Sequence, residues 1–127
     1  MKRIIAVIAL LALLVPAEVH ADEPELVKMR ATAYCLTGHC ADGTQVRKGV
    51  CASGKAEYIG KTVIMYQRLP GNKVGEVIGI YEVTDTGCNE HVIDVWRPKE
   101  ECQAFMDRVY EDGCAGKVFI QVLDTKG

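Results

Sequence analysis

The chain has 127 residues, with 15 basic against 17 acidic side chains and a formal net charge of −2. A balance so near neutral, with no basic stripe, argues against nucleic acid as a partner. The length suits one domain of ordinary size, large enough to build a single core.

In chain order, Lys2 and Arg3 precede an unbroken apolar run over residues 4–15, which Pro16 ends, and Val19-His20-Ala21 suits a small-residue cleavage site. That is the layout of a secretory signal peptide covering residues 1–21. The run falls short of the roughly 20 apolar residues a membrane span needs, so no stable anchor is expected after cleavage. Residues 22–29 read as an acidic lead-in and residues 30–124 as the folded domain.

Residues 28–34 alternate and carry β-branched and aromatic members, which predicts a strand. Residues 35–49 are rich in Gly, Asp and Thr and read as a loop. Residues 61–68 predict a second strand, Pro70-Gly71-Asn72 a turn, and residues 77–84 a third strand, so the two form a hairpin. Val92–Trp96 is a short strand, and residues 116–124 predict the last one. One helix stands out between these two. Pro98 suits its first position. Cys102, Phe105, Met106, Val109 and Tyr110 recur at spacings of three and four and form one apolar face, and Gly113 suits the stop. Short strands with one late helix favour a small closed or nearly closed barrel.

The six cysteines are Cys35, Cys40, Cys51, Cys88, Cys102 and Cys114. An even count in an exported domain of this size reads as disulfides, and hence as residence in an oxidising place: periplasm, cell surface or medium. The spacings contain no C-x-x-C pair and there are no paired histidines, so neither a metal nor another cofactor is expected. Fifteen pairings are open. Cys102 with Cys114 is disfavoured: if the segment between them is helical, its ends lie well over 7 Å apart, beyond disulfide reach.

The segment most suggestive of chemistry runs from Val77 to Trp96. A strand ends in Asp85-Thr86-Gly87, a polar loop follows, and a short apolar strand holds Asp94 between Ile93 and Val95. Apolar neighbours suggest partial burial, which disfavours the ionised carboxylate and raises its pKa, and Asp85 nearby would raise it further. A carboxylic acid kept protonated near neutral pH can protonate a glycosidic oxygen. The competing reading is plain. Alternation places Asp94 on the face opposite Ile93 and Val95, which could be solvent, and Asp85 could serve as a turn residue. His91 and Glu90 read as loop and surface charges.

These residues resemble the 3D domain, a module named for its aspartates and found in stationary-phase and resuscitation-type wall proteins and in the membrane-bound lytic transglycosylase A family. The resemblance rests on Thr32-Ala33-Tyr34, on residues 43–49 (G-T-x-V-R-x-G), on Asp85-Thr86-Gly87, on Ile93-Asp94-Val95, and on Ala104 and Phe105 followed by a final strand. It covers about residues 30–123. The resemblance implies a six-stranded double-psi β-barrel and lytic cleavage between N-acetylmuramic acid and N-acetylglucosamine, with peptidoglycan glycan strands as the partner. It implies Asp94 as the single acid and base, with Asp85 orienting or tuning it. Thr32, Tyr34, Thr86 and Gly87 would contact substrate, together with Ser53, which stands where the family has its first aspartate.

Two rivals remain. A non-catalytic, expansin-like glycan binder would use the same barrel, with Tyr34, Tyr81 and Trp96 stacking on sugars, although Tyr81 also suits the core. The D-T-G after an apolar strand is also the signature of aspartic proteases, which would require this chain to dimerise so that two copies share a proton.

Overall fold

The computed structural model describes residues 25–124. The signal peptide expected over residues 1–21 and the first part of the lead-in lie outside the described residues. Six strands and one α-helix follow in the order β1 (Val27–Tyr34), β2 (Val50–Ser53), β3 (Thr62–Leu69), β4 (Lys73–Asp85), β5 (Val92–Trp96), α1 (Lys99–Tyr110) and β6 (Lys117–Leu123).

The strands close into a barrel in the order β1-β5-β2-β4-β3-β6. Two of its pairings, β1 with β5 and β2 with β4, are parallel, and the other four are antiparallel. Closure leaves each strand a neighbour on both sides, which removes the exposed edge of an open sheet.

The core follows the period-2 pattern. Met29 and Ala31 of β1, Val63 and Met65 of β3, Ile93 and Val95 of β5, and Val118 and Ile120 of β6 are each no more than 2% exposed. Each of these side chains other than Ala31 contributes about 1.5–3 kcal/mol on burial. Gln67 continues the β3 row at the end of the barrel, and its amide is satisfied there. Nε2 donates to Asp112 Oδ2 at 3.1 Å, and Oε1 accepts the Glu76 N–H at 3.0 Å.

The hairpin expected from residues 61–84 is β3 and β4, paired antiparallel across Pro70-Gly71-Asn72. Gly71 and Asn72 both take positive φ (80° and 59°), which lets the chain reverse in three residues. β4 begins at Lys73, four residues earlier than the apolar run suggests, because its polar first residues pair with the end of β3. The helix begins at Lys99, with Pro98 just outside it, and buries Phe105 and Val109, one helical turn apart. Glu100 and Glu101 in its first turn and Arg108 in its last complement the helix dipole. Gly113 is not the immediate stop: the α-helix ends at Tyr110, and a short 3-10 turn, Glu111–Gly113, follows.

β2 was not predicted. Its four residues are all buried, so they show no alternation, and four residues are too few to stand out. All six cysteines are free thiols in the structure. No two of them stand at bonding distance, so the disulfide support expected from sequence is not shown; the barrel closes through its six backbone ladders.

Candidate functional site

β5 lies between β1 and β2. In register, Asp94 stands opposite Thr32 of β1 on one side and Ala52 of β2 on the other. Ile93 and Val95 are fully buried, whereas Asp94 is half-buried, so the carboxylate points away from the core. The Thr32 hydroxyl donates to Asp94 Oδ1 at 2.7 Å. Burial pushes the Asp94 carboxyl above the ordinary carboxylate range, and the Thr32 hydrogen bond offsets part of that rise.

Asp85 ends β4, which pairs with β2 on its other side. Ala52 is again the register partner, across a bulge. The two aspartates therefore flank one small residue, with their Cα atoms two strand spacings apart, roughly 10 Å. Asp85 is also a turn and loop anchor: its Oδ1 accepts the N–H groups of Thr86 and Ala41, each at 2.9 Å. The sequence suggests that Asp85 raises the pKa of Asp94. The structure assigns that rise to burial instead, because Asp85 lies a strand away and is engaged with backbone donors.

Tyr34 lies two residues beyond Thr32, opposite Trp96. Its hydroxyl is buried without a hydrogen-bond partner. Burial, followed by Cys40, Asp85, Asp94 and Cys51, holds the phenol well above its ordinary pKa, so it remains a donor. The loop of residues 35–49 folds over this end of the wall. Trp96 Nε1 donates to the Leu36 carbonyl at 2.8 Å, and the Asp42 N–H donates to the Thr84 carbonyl at 3.1 Å. Thr84, fully buried, donates its hydroxyl to the Cys40 thiol at 3.3 Å.

The structure thus brings Thr32, Tyr34, Asp85 and Asp94 onto one stretch of wall. Thr86 and Gly87 are exposed at its rim, with Gly87 at φ 109° where the chain turns out of β4. Ser53 is elsewhere. It pairs with the inward-facing Ile93, is fully buried, and its Oγ accepts the Lys55 N–H at 3.1 Å. Ser53, expected from the resemblance to meet substrate, has its hydroxyl engaged in a turn. Tyr81 is 7% exposed and belongs to the core. His91 Nε2 lies 3.4 Å from Glu90 Oε1, with both side chains exposed.

Sequence reasoning missed Ala52, which separates the aspartates and carries no pattern that marks it. A second concavity, a cleft of about 240 Å³, lies between β4 and α1, away from Asp94. Ile78, Tyr81, Phe105, Arg97 and Arg108 are among its lining residues. Among the described residues, no group of three or more His, Cys, Asp or Glu side chains is arranged to hold a metal ion. No protein-family model matches the chain, and no curated protein matches it at a significant level.

Proposed function

We propose that this chain is an exported cell-wall protein. Its barrel is of the double-psi kind, and it cleaves peptidoglycan glycan strands between N-acetylmuramic acid and N-acetylglucosamine. The observation that carries this reading is Asp94: a half-buried carboxyl, raised by burial, held by Thr32 on the outward face of a rigid strand. Protonated Asp94 gives its proton to the bridging oxygen as the C1–O bond breaks and positive charge develops on the muramyl ring. The resulting carboxylate then takes the proton from the C6 hydroxyl as O6 closes onto C1. The product is a 1,6-anhydro sugar, no water is consumed, and Asp94 ends protonated as it began. Asp85 holds the 35–49 loop in place beside the reacting bond. The buried Tyr34 hydroxyl, which has no hydrogen-bond partner, could donate to a sugar oxygen only once the covering side chains move aside.

The test is incubation of the protein with purified peptidoglycan, followed by mass spectrometry for 1,6-anhydromuropeptides. Wild type should release them and Asp94→Asn should not. Equal release by both would remove Asp94 from the mechanism. A glycan-binding role without cleavage is the second reading, favoured by the buried Ser53 at the place of an aspartate in the family it resembles. It is supported if the protein pellets with peptidoglycan and releases nothing.

A further inference from the structure

We propose that Cys35 and Cys102 form a pair built for oxidation, closing into a disulfide that ties the first turn of α1 to the end of β1. The argument begins with the strand ladder. Tyr34, the last residue of β1, stands opposite Trp96, and the Arg97 N–H donates to the Tyr34 carbonyl at 2.9 Å. Cys35, the next residue, is thereby brought alongside Arg97. From the other side, the Cys102 thiol donates to the Arg97 carbonyl at 3.7 Å. Both cysteines converge on one residue, and Cys35 is among the neighbours that push the Cys102 thiol up, after its burial.

Disulfide formation requires Cβ atoms about 3.5–4.5 Å apart and vectors that face each other. Thiols brought to the same residue from two sides need side-chain rotation more than backbone movement. Access separates this pair from the others. Cys35 is exposed and Cys102 partly so, whereas Cys51 and Cys114 are 0% and 1% exposed. Cys40 is buried against Thr84, and Cys88 hydrogen-bonds to the Val92 carbonyl.

The reaction is thiol–disulfide exchange with a disulfide oxidant, either oxidised glutathione or the active-site disulfide of a thiol oxidase. One cysteine, as thiolate, attacks the oxidant and displaces one of its sulfurs. The second cysteine then attacks the mixed disulfide and releases the other sulfur. Two S–H bonds are lost and one S–S bond forms. Both electrons and both protons leave with the reduced oxidant. The bond would clamp the root of the 35–49 loop, whose Ala41 holds Asp85, without touching Asp94. This inference rests on the cysteine geometry alone and is independent of the reading of the glycan chemistry.

The test uses the purified full chain. It is incubated with oxidised or reduced glutathione, free thiols are alkylated under denaturing conditions, and the digest is mapped by mass spectrometry without reduction. The expected result is a Cys35–Cys102 crosslinked peptide in the oxidised sample. Finding either cysteine alkylated there, or joined to a different cysteine, overturns the proposal. Variants give an independent reading. Cys35→Ser and Cys102→Ser should each lower the Tm of the oxidised protein by roughly 5 °C or more, and the double variant by no more than either single one. Losses that add, or that are as large in the reduced protein, count against the pair.

Discussion

The wall around Asp94 and the cleft between β4 and α1 divide between them the two properties usually sought together in an active site. The cleft has the concavity, about 240 Å³, and an aromatic lining from Tyr81 and Phe105. Its arginines are in ion pairs: Arg97 with Glu101, and Arg108 with Glu76 and Glu111 at 3.3 and 3.4 Å, although the Arg97 Nε is buried without a hydrogen-bond partner. The wall holds a carboxyl with a raised pKa and a buried phenol with no hydrogen-bond partner. An apolar pocket is the default place to seek a small-molecule site. A polymer strand needs instead an open surface along which it can lie, with one poised group at the bond to be cut. The comparison therefore ranks chemical poise above depth.

The largest expected effect follows directly. Asp94→Asn should reduce anhydromuropeptide release by about 10²–10⁴-fold, the usual contribution of a general acid or base. Arg108→Gln in the cleft should leave release within about twofold, since surface changes away from the chemistry act weakly. The opposite outcome, with the cleft variant inactive and the wall variant active, reverses the ranking of the two regions. Next comes the scaffold behind Asp94. Ile93 is fully buried beside it. Ile93→Ala should cost about 2–5 kcal/mol in urea unfolding, as for other large-to-small core changes. A loss below about 1 kcal/mol would mean that β5 is not anchored as its burial indicates.

Much of this wall was legible in the sequence because alternation is a local signal. Ile93, Asp94 and Val95 state their own facing, and β5 has the bounds read from the pattern. The hairpin was legible through Pro70-Gly71-Asn72. Three things were not. β2 is buried on both faces and carries no period. The side of Ser53 depends on its pairing with Ile93, a contact some 40 residues away in sequence. The role of Asp85 depends on Ala41, whose N–H reaches it only once the 35–49 loop has folded back. Each of these is set by long-range register, which composition and spacing do not encode.

Gly54, the residue after β2, lies against the backbone of the loop that leads into β5, and it offers a sharper test. A Cβ there would lie 2.2 Å from the Asn89 carbonyl oxygen and 2.5 Å from Glu90 Cα, both backbone atoms that cannot rotate away. Gly54→Ala should therefore push out the loop that leads into β5, at about 1–3 kcal/mol, the cost of overpacking. If the wall is the active region, release of anhydro products should fall with it while circular dichroism still reports a folded barrel. Unchanged activity in a protein that carries the stability loss would separate the loop from the chemistry.

Thr32→Val has the smallest expected effect and gives the most specific reading of Asp94. Burial raises the Asp94 pKa above its ordinary 3.8, and the Thr32 hydrogen bond opposes that rise. Removing the donor should raise the pKa further. In the proposed mechanism Asp94 acts first as an acid, so activity should decline as pH climbs through this pKa, and the variant should carry that declining limb to higher pH. Stability follows the same sign. A carboxyl whose folded pKa exceeds its unfolded one contributes fully below the unfolded value, and that contribution is lost as pH rises through the folded value. The net cost of the lost hydrogen bond, about 0.5–1.5 kcal/mol, should therefore grow from acidic toward neutral pH, because the donor matters most to the charged form. Unfolding measured at several pH values, beside the pH profile of release, checks both. A cost that does not vary with pH, with an unmoved limb, would mean that Thr32 packs against Asp94 without controlling its proton.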